Sequence, residues 1–78
     1  MKKPKESIEL NAALAEMKIM AGRYGDYPWT LSEAQWAKLR QIASGENAPA
    51  DLVSAISRYD EALERWRQWE RALVMAAI

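Results

Sequence analysis

The sequence predicts an all-α fold, a small bundle of three helices in which the third is long and amphipathic, and it favours a dimer. Half of the 78 residues are hydrophobic, and many of these are alanine. The three glycines and three prolines all lie near the ends of the apolar segments. Apolar residues recur at helical spacing in three stretches. We expect a basic, flexible N-terminus over residues 1–6 and one domain over 7–78, with helices at about 7–21, 31–44 and 49–76.

The first predicted helix has two apolar faces. Ser7 is a candidate cap and Gly22 a candidate stop. One face carries Leu10, Ala13, Leu14, Met17, Met20 and Ala21, and the opposite face carries Ile8, Ala12, Ala15 and Ile19. A helix of this kind is covered on both sides. Either it is the central helix of the bundle, or one face meets another molecule. Glu9, Glu16 and Arg23 form a narrow charged line between the faces.

A loop follows at GRYGDYPW, residues 22–29, and it places three aromatic residues within six positions. Tyrosine and tryptophan are common at binding hot spots, so Tyr24, Tyr27 and Trp29 are candidate contacts for a partner. The alternative is that these side chains fold back and close the end of the bundle. Trp29 in particular could act as a hydrophobic staple, because it precedes a helix cap.

The second predicted helix begins with a capping signal. Thr30-Leu31-Ser32-Glu33 fits the T-x-x-E capping box, in which each end satisfies a free backbone amide of the other. The helix then runs from Leu31 to about Ser44, before Gly45. Its predicted buried arc consists of Leu31, Trp36, Leu39, Ile42 and Ala43.

The third predicted helix begins near Pro49 and meets no breaker, which gives about 28 residues and roughly 42 Å. Its apolar residues follow a 4-3-4-3 spacing typical of coiled coils. The positions are Leu52, Ile56, Tyr59, Leu63, Trp66, Glu70, Leu73 and Ala77, flanked by Ala55, Ala62, Trp69 and Ala76.

Glu70 is the one charged residue in that apolar pattern. Either the helix has passed the end of its neighbour at this level, or the carboxylate turns toward solvent. The other interpretation is a partly buried carboxylate that pairs with an arginine or lysine of another helix or subunit. Polar residues at such positions can set register or partner choice.

A domain of this size needs help to be stable. The chain has no cysteine and no histidine, so disulfides and the usual zinc sites are excluded. The last residues, ALVMAAI, are uncharged, and their large side chains spread around the helix. Some of this surface should need a cover from outside the chain, and a second copy packed with two-fold symmetry is the simplest one. The alternative is a frayed hydrophobic tail with no role.

Enzymatic chemistry is poorly supported. Without cysteine and histidine, the common nucleophilic pairs cannot form, and no glycine-rich phosphate loop is present. The carboxylates fall mostly at solvated helix positions. We therefore expect no catalytic residue, no cofactor, no metal and no small-molecule substrate.

Nucleic-acid binding is the alternative function, as a small helix-turn-helix transcriptional regulator. The recognition helix would be ADLVSAISRYD, which has no basic residue before Arg58. The segment RWRQWER has the composition of an aromatic and basic patch, but four acids offset the four arginines between Arg58 and Arg71. The whole chain is balanced, with 11 basic and 11 acidic residues.

We therefore expect a protein-interaction module that acts as an inhibitor, adaptor or assembly factor on a larger protein or complex. Small cofactor-free proteins are common among phage-encoded inhibitors of host machinery, including anti-CRISPR proteins, and this expectation rests on size and missing chemistry. We expect a cytoplasmic protein, in the host if phage-encoded, with no membrane partner, since no apolar run approaches the length of a membrane span. The candidate contact residues are Tyr24, Tyr27, Trp29, Trp69, Glu70, Val74 and Ile78.

Overall fold

The computed structural model describes residues 4–27 and 29–77, and these residues form three α-helices without a β-strand. The helices are α1 (Lys5–Tyr24), α2 (Glu33–Ala43) and α3 (Ala50–Ala77). The predicted all-α class is confirmed. Among the described residues, no helix is long and apolar enough to cross a membrane.

Helix α1 begins earlier and ends later than predicted. Pro4 is the residue before the helix, and its carbonyl accepts hydrogen bonds from the amides of Ser7 at 3.0 Å and Ile8 at 3.2 Å. Ser7 is therefore inside the helix, and Lys5 and Glu6, which the sequence placed in the N-terminal segment 1–6, belong to α1. Residues 1–3 of that segment lie outside the described residues. The helix also continues through Gly22, because a glycine costs a helix only about 1 kcal/mol.

The predicted capping box at the start of α2 is wrong. The cap is Ser32, whose hydroxyl accepts a hydrogen bond from the amide of Gln35 at 3.3 Å. Helix α2 therefore begins at Glu33, two residues later than predicted. Leu31 precedes the cap and packs against the core from outside the helix.

The hydrophobic core lies at one end of the α1–α3 pair, where α2 covers it. Its buried members are Met17, Met20, Ala21, Leu39, Leu52, Ala55 and Ile56. The predicted arc of α2 is confirmed, since Leu39 is buried and the other four residues pack against this cluster. Helix α3 begins at Ala50, one residue after the predicted start, and the carbonyl of Pro49 accepts from the amide of Val53 at 3.1 Å.

A ladder of three ion pairs joins α1 to α3. Arg23 binds Asp51 at 2.6 Å, Glu16 binds Arg58, and Glu9 binds Arg65 at 3.2 Å. From one ion pair to the next, the residue number falls by seven in α1 and rises by seven in α3. The two helices are therefore antiparallel. Exposed pairs stabilise by only about 0–1 kcal/mol each, so their main effect is on register.

The register of these ion pairs also shows how far α1 extends along α3. The first residue of α1, Lys5, lies at the level of Trp69, and α3 continues for eight more residues to Ala77. The interpretation of α1 as a central helix is also wrong for this chain. Both α2 and α3 lie on its Met17 face, and its opposite face is exposed at Ile8, Ala12, Ala15 and Ile19.

Candidate protein-binding loop

The connection between α1 and α2 presents two aromatic side chains to solvent. Tyr27 is 68% exposed and Trp29 is 64% exposed. The interpretation in which the loop aromatics close the bundle is therefore wrong for these two residues. It applies to Tyr24, which is half-buried against the core. Trp29 is not a hydrophobic staple, because Leu31 occupies the position before the cap.

The loop backbone is held by the side chain of Gln35, which is only 3% exposed. Its Oε1 accepts a hydrogen bond from the amide of Asp26 at 2.8 Å. Its Nε2 donates to the carbonyl of Tyr27 at 2.6 Å and to that of Thr30 at 3.2 Å. One buried amide group therefore ties three backbone groups of the loop to α2, and the chemistry of these partners fixes which way the amide points.

Gly25 allows Gln35 to reach the loop. A Cβ atom at this position would lie 2.6 Å from the carbonyl oxygen of Ala21 and 2.7 Å from Cδ of Gln35. Both distances are too short for a real side chain. The end of α1 and the first turn of α2 can therefore pack this closely only around a glycine.

The backbone of Trp29 is strained. Its φ is 62°, in the left-handed region, which costs an L-residue roughly 1–2 kcal/mol. The bonds of Gln35 to Tyr27 and Thr30, on either side of Trp29, hold the chain in this conformation. Strain of this kind is found preferentially at functional sites, and here it places a large apolar side chain in water.

The base of the loop is fixed by polar contacts to α3 and α2. The hydroxyl of Tyr24 donates to Asp51 at 2.7 Å, beside the pair of Asp51 with Arg23. The hydrogen bond from Tyr24, followed by that from Arg23, lowers the pKa of Asp51. The hydrogen bonds to Asp51 in turn raise the pKa of Tyr24 and of Arg23. Lys38 of α2 forms an ion pair with Asp26 in the loop. Tyr24 therefore anchors the loop, and its role as a contact for a partner stays a prediction.

Trp69, Glu70 and Val74 lie at the far end of α3, so the structure does not gather the predicted site into one surface. Trp69 is half-buried and stacks on Trp66, with ring centroids 5.0 Å apart. Val74 is 61% exposed. The distance along α3 from Asp51 to Trp69 is about 27 Å. Ile78 lies outside the described residues.

Glu70 is exposed, and within the described residues no lysine or arginine forms an ion pair with it. This agrees with its place beyond the start of α1. Pairing with another helix of the same chain is therefore not found, and pairing between subunits stays a prediction.

Gln35 is the residue that the sequence interpretation missed. Ser32-Glu33-Ala34-Gln35 also fits the capping pattern S-x-x-Q, which would have placed the cap correctly. That pattern would still have predicted that the Gln35 side chain turns to the cap, whereas in the structure it binds the loop. The charged ladder did have a signal in the sequence, because Glu9, Glu16 and Arg23 recur every seven residues.

Within the described residues, no cluster of three or more acidic side chains is arranged to hold a metal ion. No protein family, curated protein or solved structure matches the chain.

Proposed function

We propose that the protein is a non-enzymatic protein-binding module that contacts a larger protein or complex through Tyr27 and Trp29. The observation that carries this proposal is the combination of two exposed aromatic side chains with a backbone that hydrogen bonds to the buried Gln35 hold in place. A loop with no binding role would gain nothing from a tryptophan whose backbone is strained in the left-handed region and whose side chain is exposed to water.

Preorganisation of the loop favours binding. Ordering a loop on binding reduces affinity, and a loop that is already fixed avoids that cost. Tryptophan and tyrosine bury large areas for few rotatable bonds, and they dominate the energetics of many interfaces. A rigid pair of this kind suits insertion into a pocket of a partner.

The role proposed for such a module is that of an inhibitor, adaptor or assembly factor. A phage-encoded inhibitor of host machinery, such as an anti-CRISPR protein, is one form of this proposal, and it rests on size and missing chemistry alone. The cytoplasm remains the proposed location, on the sequence grounds given above.

The regulator alternative gains no support from the contacts of α3. In its first turns Asp51 pairs with Arg23, and Arg58, its first basic residue, pairs with Glu16. Both charges are thereby engaged within the chain, which leaves this segment little with which to contact phosphates. Salt-dependent retention of the protein on heparin or DNA would favour the regulator instead.

A capture experiment tests the proposal. The tagged protein and its Tyr27→Ala/Trp29→Ala variant are used as bait in a lysate of the organism that encodes the chain, and captured proteins are quantified by mass spectrometry. The matched control is Glu46→Ala/Asn47→Ala, in the exposed loop between α2 and α3. We expect the control to retain the partner and the aromatic variant to lose it. If the folded aromatic variant captures the same partner equally well, the loop is structural.

A further inference from the structure

Helix α2 covers only one end of the α1–α3 pair. It has 11 residues, against 20 in α1 and 28 in α3. At the other end the apolar side chains of the two long helices are only half-buried, namely Leu10, Leu14, Leu63 and Trp66. We call this part of the molecule the distal end.

The distal end of α3 carries a mixed surface of charged and apolar residues. A shallow depression of about 370 Å³ is lined by Arg67, Glu70, Arg71, Val74 and Met75. Val74 and Met75 are among the most exposed large apolar side chains of the described residues, at 61% and 74%. These residues lie on the same side of α3 as Asp60, which pairs with Arg40 of α2. At the distal end, this surface therefore extends the side of α3 that α2 covers.

We propose that a second copy of this chain packs here, with the two α3 helices antiparallel about a two-fold axis. Leu63, Arg67, Glu70 and Val74 follow one another at intervals of four, three and four residues. An antiparallel pair of such helices places Leu63 opposite Val74 of the second copy. It places Arg67 opposite Glu70 of the second copy. The interface then has two charge pairs between two apolar layers.

Self-complementarity argues for a second copy rather than a different protein. A two-fold interface brings the same patch together from both sides, so each charge needs its opposite within the same patch. Arg67 and Glu70 meet this condition, and Glu70 has no ion pair inside the described part of its own chain. The balanced total charge adds no net repulsion between copies. The second copy would also cover Leu10 and Leu14, in the place that α2 occupies at the other end.

This proposal is independent of the binding loop, and charge exchange tests it. Glu70→Arg sets the introduced arginine of one copy against Arg67 of the other, and Arg67→Glu sets two glutamates against each other. Each variant alone should raise the dimer dissociation constant about tenfold or more. In an equimolar mixture, a mixed dimer of the two variants sets an arginine against a glutamate at both of its pairs, so both like-charge contacts disappear and mixing should restore the dimer. The double variant Arg67→Glu/Glu70→Arg restores both pairs with reversed sign and should restore the dimer. Sedimentation equilibrium measures all of these, against a chain mass of 8.9 kDa.

The control is Glu46→Arg, which makes the same charge change as Glu70→Arg at an exposed loop position and should leave the dimer unchanged. Circular dichroism establishes that each variant is folded. A wild-type protein that stays at the monomer mass up to about 1 mM would overturn the proposal and leave the surface to a different protein. So would a dimer that neither single variant weakens, or a double variant that stays as weak as each single variant.

Discussion

Replacing Gln35 with methionine should cost the protein about 3 kcal/mol of unfolding free energy. Methionine has nearly the same volume, so packing is largely kept, whereas all three bonds to the loop are lost. Each hydrogen bond contributes about 1 kcal/mol net. A domain of this size has a total stability of roughly 4–12 kcal/mol, so the loss is a large fraction of the whole.

Urea unfolding followed by circular dichroism measures the change. The control is Gln41→Met, because Gln41 lies on the same helix and is exposed. We expect the control to change stability by less than about 0.5 kcal/mol, as exposed substitutions usually do. A loss below about 1 kcal/mol for Gln35→Met, or one equal to that of the control, would refute the idea that this side chain holds the loop.

Three further predictions concern the loop, its base and the distal end. Trp29→Gly should be about 1 kcal/mol more stable than Trp29→Ala, because glycine adopts a positive φ freely, and a thermal melt with the opposite order would contradict the strain. Because folding lowers the pKa of Asp51, its contribution to stability is present above its ordinary pKa near 4 and is lost as pH falls through the folded pKa. The urea midpoints of Asp51→Asn and wild type should therefore differ at pH 6 and converge toward pH 2. A difference that stays constant with pH would argue against a stabilising role of the Asp51 carboxylate. Glu70→Leu should change the oligomeric state measured by light scattering, and a higher melting temperature with unchanged mass would refute a role for Glu70 between subunits.

The regular parts of the fold could be predicted because the apolar periodicity of a helix is local information. The buried arc of α2 and the length of α3 came directly from the spacing of residues such as Leu39 and Leu52. The charged line of Glu9, Glu16 and Arg23 was also visible, although its partners on α3 were not assigned. The pairing required the register between two helices, which one helix alone does not specify.

The loop could not be predicted in the same way. Whether Gln35 turns toward its own helix cap or toward the loop depends on how closely α1 approaches, and Gly25 decides that approach. The aromatic residues of the loop look alike in the sequence, yet Tyr24 is fixed to Asp51 while Tyr27 and Trp29 face solvent. Their separation into an anchor and two exposed side chains is a tertiary effect.

The affinity of Trp29→Ala for the captured partner, measured by titration calorimetry, tests whether this loop is the binding surface. As a central contact, Trp29 should be worth about 2 kcal/mol or more, so the dissociation constant should rise about 30-fold or more. Glu46→Ala should leave it unchanged. A folded Trp29→Ala protein that binds within about threefold of wild type would contradict the claim that this loop is the binding surface.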